Sequence, residues 1–271
     1  MNLNNAESFD KKYVLPNGLK IYHINKHETD FMYKDIFEDL IYLRNEIIIK
    51  KNSCIVDVGG NIGLFSLFIK QNYPEAKIFA FEPMPTLRKI FQSNLKSYDN
   101  VEVSEYGLTN ETKEEILTYY PGYSLMSGFH CDFDEDTKIL AECIEKDFLK
   151  ENPNLEKNSD RILKLISETK LNEKQTIKCR LTTLSAFIKL NNIQQIDLLK
   201  INAEKSELNI LNGIEKNDWS KIKQIILEVN NLKGSLKQIT EKLTQNNFDI
   251  IIEKEDRKRT SYLFNIYARR K

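Results

Sequence analysis

Cys54-Ile-Val-Asp-Val-Gly-Gly-Asn-Ile-Gly63 decides the fold class of this sequence. Cys54–Val58 is short, apolar and β-branched, so it reads as a buried strand carrying one charge, Asp57. Glycines end it, and the apolar stretch Leu64–Gln71 reads as a helix. A strand, a glycine-rich turn and a helix put that turn at the carboxyl end of a sheet, where ligands of open α/β sheets bind. Glycines let the backbone approach a ligand closely, and a helix start offers free N–H groups to an anion. The dinucleotide fingerprint Gly-x-Gly-x-x-Gly is not met, because Asn61 stands where its second glycine should be.

Outward from this turn, strands and helices alternate. Lys77–Phe81, Val101–Glu105, Ile196–Ile201 and Ile222–Val229 read as strands; Pro85–Leu95, Ser206–Asn212 and Leu236–Gln245 read as helices. This grammar predicts an α/β, Rossmann-like, mostly parallel sheet covered on both faces. Phe248–Glu253 and Tyr262–Ala268 are too close together for a crossover helix, which predicts an antiparallel last strand. Upstream, Tyr13–His23 reads as a hairpin turning at Asn17-Gly18. Phe31–Leu43 reads as a helix capped by Thr29 or Asp30. Between the third and fourth strands an interruption spans about 109–190. It holds a strand-like piece (Glu115–Tyr120), a loop (Pro121–Phe133) and a charged helical stretch (Asp134–Thr169) broken at Glu151–Asp160. The expected organisation is one domain, 1–271. Residues 1–50 form an N-terminal hairpin-helix extension, and 51–271 a core with a helical lid insertion at about 121–171.

Composition narrows the classes. The 271 residues carry 40 Lys+Arg against 40 Asp+Glu, so no net field draws the chain to nucleic acid or anionic lipid. At 41% hydrophobic residues the chain has enough apolar content for a core, and no run is long enough for a bilayer. The start Met-Asn-Leu-Asn-Asn lacks a signal-peptide pattern, and Cys54, Cys131, Cys143 and Cys179 form no C-x-x-C pair. The expectation is a cytoplasmic protein with reduced thiols and no metal site.

Phe79-Ala-Phe-Glu-Pro-Met-Pro85 ends the second strand in an acid. Glu82 stands 25 positions after Asp57, where a carboxylate can bond both hydroxyls of a ribose. Asp57, the glycines and Glu82 together describe a nucleoside with a small charged tail, which S-adenosylmethionine fits better than NAD. Turn glycines and a solvated carboxylate are the bland alternatives. Asn202 and Glu204 fall at the end of the fourth strand and Glu228 at the end of the fifth, all directed toward the same crevice. Capping and solvation are their bland readings. His23 and His27 read as structural or surface groups. His130, in the insertion loop, is either a surface residue or a group the lid brings in. Tyr119, Tyr120, Tyr123 and Phe129 either line a substrate pocket or anchor the loop.

Val56-Asp-Val-Gly59-x-Asn61-Ile-Gly63, Phe81-Glu-Pro83 and Leu199-Lys-Ile-x-x-Glu204 together resemble the FkbM family of S-adenosylmethionine-dependent methyltransferases. The likeness extends to Leu15-Pro-Asn-Gly18, Glu28-Thr29, Tyr42-Leu43, Tyr120-Pro121, Met126-Ser-Gly128 and Leu263–Arg269. It implies a class I methyltransferase fold and O-methylation of a hydroxyl on a small-molecule or carrier-bound intermediate. The flanking motifs look most like the branch in or beside polyketide synthases and nonribosomal peptide synthetases, with partners in such biosynthetic complexes. The expected cofactor set is Asp57, Gly59, Gly60, Asn61, Gly63, Glu82, Pro83, Met84, Tyr106 and Gly107. The expected catalytic set is Glu204 as proton acceptor, Asn202, Glu228 and, second to Glu204, His130. The chain departs from the family pattern at Asn202, where aspartate is usual, and at Asn230 and Asn45, where histidine is frequent. Amides do not titrate near neutral pH. Two rival readings are a non-catalytic cofactor-binding partner and an NAD-dependent oxidoreductase.

Overall fold

Strand β3 (Cys54–Val58) is the pivot of a seven-stranded sheet. On one side lie β4 (Lys77–Phe81) and β5 (Val101–Ser104); on the other β9 (Leu198–Ile201), β10 (Gln224–Asn230), β12 (Leu263–Arg270) and the edge strand β11 (Phe248–Lys254). The computed structural model describes residues 11–132, 173–231, 234–254 and 263–271. All neighbours run parallel except β12, which is antiparallel to both β10 and β11. The chain therefore leaves β3 in one direction and returns to its other flank. That reversal opens a crevice at the carboxyl ends of β3 and β9. The fold class expected from the sequence, including the antiparallel last strand, is the one observed.

Side-chain alternation along the inner strands feeds two cores. Ile55, Ile78, Ala80 and Leu198 face helices α2 (Leu64–Asn72) and α3 (Pro85–Leu95), together with the N-terminal extension. Val56, Phe79, Phe81 and Leu199 face α4 (Leu184–Leu190), α5 (Glu207–Asn212) and α6 (Ser235–Gln245). Each large apolar side chain closed off in this way stabilises by about 1.5–3 kcal/mol. Asp57 and Lys200 share the parity of Ile55 and Leu198, so both enter the first core, where a charge must find a partner.

In the extension, β1 (Lys12–Val14) and β2 (Lys20–Tyr22) form the expected hairpin, with Gly18 at φ 85° in its turn. The helix is corrected. It starts at Lys26, not Phe31, because Asn25 is the cap: its side chain accepts from the Glu28 N–H at 2.9 Å and donates to Glu28 Oε1. It also ends early. After α1 (Lys26–Tyr33) come a π turn at Lys34–Glu38 and left-handed Leu40 (φ 50°), then a 3-10 turn at Ile41–Leu43. The break sends Ile41 and Tyr42 into the core, where Tyr267 Oη donates to the Ile41 carbonyl at 2.8 Å.

The interruption is also richer in strands than expected. β6 (Gly107–Leu108), β7 (Lys113–Tyr119) and β8 (Gln175–Thr182) build a second, three-stranded sheet ordered β6-β8-β7. β8 and α4 were both overlooked in the sequence. The charged stretch Asp134–Thr169, and with it most of the expected lid, lies outside the described residues. Among the described residues no helix is long and apolar enough to cross a membrane.

Candidate cofactor and catalytic site

Asp57 is wholly buried and both its oxygens are engaged. Oδ1 meets Lys200 Nζ at 2.9 Å, and Oδ2 accepts from Ser66 Oγ at 2.8 Å. The two charges stand directly opposite one another in the β3–β9 register. Lys200 also donates to the carbonyls of Gly59 (2.9 Å) and Val58 (3.3 Å), so each ammonium N–H has an acceptor. Burial pulls this ammonium toward neutrality; the Asp57 charge and hydrogen bond, with Tyr42 and Glu228 nearby, outweigh it and raise its pKa. The ion pair ties the glycine turn to both central strands.

Gly59 needs to be glycine on two grounds. Its φ is 76°, and a Cβ there would overlap the Asn202 carbonyl oxygen. Its N–H and that of Gly60 reach the Phe81 carbonyl at 3.1 Å. Gly63, also left-handed, starts α2 with no side chain capping its first turn. Glu82, 5% exposed, holds the turn from the β4 side. Oε2 accepts from the Asn61 N–H at 2.8 Å and Oε1 from the Met84 N–H at 2.9 Å. Burial pushes this carboxyl up to about 7, against the pull of those two N–H groups, Lys200 and Arg88. Pro83 offers its carbonyl to Arg88, and buried Met84 precedes α3. Tyr106 lies under the Arg180 guanidinium, 4.8 Å from the ring centre, while Gly107 opens β6 against Leu181 and Phe129.

The other flank is looser. The Asn202 N–H bonds the Val58 carbonyl at 3.1 Å and its side chain donates to Tyr42 Oη at 3.3 Å. Glu204 (φ 36°) and Lys205 (φ 68°) are consecutive left-handed residues, a costly backbone for side chains of this kind. Gly128 of the insertion loop lies against Glu204: a Cβ there would sit 3.2 Å from the Glu204 Cβ and carbonyl oxygen. Glu228 is buried inside β10, and half-buried Asn230 ends that strand. His130 is exposed and meets Asn209 of α5 at 3.2 Å through Nε2. Asn45 donates to Glu253 at 2.8 Å. Of the aromatic residues, Tyr119 and Tyr120 are buried and anchor the loop. His23 stacks on Tyr13 as a structural group.

Sequence reasoning missed three buried groups. Lys200 was signalled by a lone cation inside the apolar run Leu198–Ile201, but its partner depends on strand register. Glu207, whose carboxyl burial pushes up to about 7 with Glu228 adding to the effect, accepts from the Ala203 N–H at 3.3 Å. Glu28, discussed below, stood in the Glu28-Thr29 motif and at capping spacing from Asn25, but neither signal points to its distant partner Ser124.

Residues 57–250 match the model of the methyltransferase FkbM domain. The chain belongs to the FkbM methyltransferase family. It is an S-adenosylmethionine-dependent methyltransferase of class I fold. The AMB antimetabolite synthetase AmbE of Pseudomonas aeruginosa is 32% identical over 274 residues, which cover 97% of this chain and 13% of that protein. The 31-O-demethyl-FK506 methyltransferase FkbM of Streptomyces tacrolimicus is 31% identical over 258 residues, 94% of this chain and 95% of that protein. The crystal structure of a methyltransferase FkbM from Methylobacillus flagellatus superposes with a TM-score of 0.52 at 13% identity, covering 84% of this chain and 46% of that one; it shares the fold. Membership removes the NAD-dependent oxidoreductase reading. The residues present fit an adenosyl cofactor: a helix start without a side-chain cap, and a buried carboxyl at the end of β4 whose oxygens accept from backbone N–H groups of the turn and of Met84.

Proposed function

We propose that this FkbM-family chain O-methylates a hydroxyl of a small-molecule or carrier-bound natural-product intermediate, as one cytoplasmic domain spanning 1–271. The observation that carries the reading is the near full-length match to a protein named for a demethylated oxygen of FK506. AmbE adds that such a unit also occurs within a much longer synthetase. When bound, S-adenosylmethionine supplies a methyl group made electrophilic by its sulfonium. Glu82 accepts hydrogen bonds from the ribose hydroxyls, and the turn at Gly59–Gly63 admits the backbone to close approach. Holding the two reactants in line supplies ~7–11 kcal/mol of the barrier reduction.

In this reading Glu204 takes the proton of the attacking hydroxyl, while Asn202 and Asn230 orient it. A positioned base contributes roughly 10²–10⁴-fold. The contact of Gly128 with the Glu204 Cβ and carbonyl oxygen supports Glu204, since it brings the insertion loop beside that residue. The amides at 202 and 230 favour a second reading, a cofactor-binding partner without turnover. Mass spectrometry of metabolites from cells with and without the protein separates the two. O-methylation predicts a product heavier by one CH2 that disappears with the gene; an unchanged metabolite profile in cells making the precursor contradicts it.

A further inference from the structure

Glu28 belongs to the N-terminal extension, yet its side chain is spent on a segment 96 positions away. It is 2% exposed. Oε1 accepts from the Ser124 N–H at 3.0 Å and from Asn25 Nδ2 at 2.5 Å, while Oε2 accepts from Ser124 Oγ at 2.5 Å. The Leu125 N–H is a further donor. Burial raises the pKa of this carboxyl, and the Ser124, Asn25 and Leu125 donors oppose that rise by favouring a group that accepts.

The consequence runs through Ser124. Its hydroxyl proton goes to Glu28, so it meets Asn61 Nδ2, at 3.3 Å, as an acceptor. This fixes which way round the Asn61 amide lies: Nδ2 toward Ser124, Oδ1 accepting from the Ile62 N–H at 2.7 Å. Asn61 is the left-handed residue (φ 48°) whose own N–H bonds Glu82. A directed chain, Asn61 to Ser124 to Glu28, thus starts on the turn that faces the crevice and ends on the extension.

We propose that Glu28 is a positioning residue of the cofactor site, acting through the Ser124 hydroxyl to set the Asn61 amide and with it the glycine turn. The extension is then part of the adenosyl site. This rests on the reading that the turn and Glu82 hold the adenosyl group. Glu28→Gln is the sharp test, because it keeps the volume and, with Nε2 turned to Ser124 Oγ, makes that hydroxyl an acceptor from position 28, which reverses the direction of the chain reaching Asn61.

S-adenosylhomocysteine is titrated calorimetrically into the full chain, into Glu28→Gln, into Ser124→Ala and into the double variant. Each single change should weaken binding at least about fivefold, the scale of one hydrogen bond, ~1 kcal/mol. The double variant should be no more than about twofold weaker than the weaker single. Dissociation constants within about twofold of the parent, with lowered melting temperatures, would mean a purely structural latch and overturn the proposal. Multiplying effects overturn it as well, since the two residues would then act separately. If Glu28→Gln does not fold, Ser124→Ala, which removes one hydroxyl, decides by the same fivefold criterion. A parent chain that binds no S-adenosylhomocysteine overturns the cofactor reading itself, and this proposal with it.

Discussion

The two flanks of the crevice are built differently. On the β3–β4 flank nearly every polar group has a short, buried partner: Asp57 with Lys200 and Ser66, Glu82 with two backbone N–H groups. On the β9–β10 flank the backbone is left-handed at Glu204 and Lys205, Asn202 is half-buried, and the insertion loop closes over the strand end. The first flank is fixed by the core beneath it, whereas the second takes its shape from a loop outside the sheet. A cofactor common to a family suits the first; an acceptor that varies suits the second.

Substituting Lys200 by Met is expected to have the largest effect. It strands the buried Asp57 carboxylate, and loss of one partner of a buried pair costs about 3–5 kcal/mol. Denaturant melts check it, and a loss under about 1 kcal/mol would mean that the turn is not held from β9. Gly59→Ala comes next, at about 3 kcal/mol or loss of folding, because both φ and the Asn202 carbonyl exclude a Cβ. Normal melting with intact S-adenosylhomocysteine binding in that variant would show that the two flanks separate easily.

S-adenosylhomocysteine at 100 times its dissociation constant should stabilise the parent by about 2.7 kcal/mol. Glu82→Ala should lose most of this shift. Glu204→Gln should keep it and yet reduce the methylated metabolite at least ~10²-fold. If the two variants respond alike, the division of labour between the flanks is wrong.

Burial raises the carboxyls of Glu82 and Glu207 to about 7, so folding favours their protonated forms. Their contribution is full below the unfolded value and is lost as pH rises toward 7. The free protein should therefore lose stability between about pH 4.5 and 7, by at most ~1.4 kcal/mol per pH unit for each carboxyl. Glu207→Gln should flatten part of that slope; an unchanged slope would remove Glu207 from the account. The smallest effect is expected for His130→Ala, which leaves an exposed contact with Asn209 and should change the methylated metabolite by less than about twofold. A large loss with cofactor binding intact would move the proton acceptor into the insertion.

What the sequence made legible is what short-range pattern encodes. Cys54–Gly63 and Phe79–Pro85 each carry strand, turn and acid within a dozen residues, so the parallel sheet, and the flank proposed for the cofactor, are marked by local pattern. The start of α1 was also written locally, as Asn25 followed three positions later by Glu28, but the later Thr29 and Asp30 drew the reading away. The alternation Ile177, Cys179, Leu181 marks β8, yet it stands in a stretch rich in charge and passed for part of the insertion. Other features are tertiary in origin. The Asp57–Lys200 pairing depends on register between strands 143 positions apart. Leu40 and Glu204 take left-handed backbone that no local signal announces.

The place of β12 carries a consequence for synthesis. Residues 263–270 lie between β10 and β11, two strands made before them. On a ribosome, domains form from the N-terminal side as the chain emerges, at about 5–20 residues per second. β3, β4, β5, β9 and β10 can associate while translation continues, but β11 has nothing to pair with until β12 slides in beside it. For that interval β10 presents an open edge and the Phe248–Lys254 strand, with Ile251 and Ile252 bare, waits unpaired. A chain truncated before residue 263 leaves β10 with an open edge and β11 without its partner strand, and is expected to stick to its neighbours.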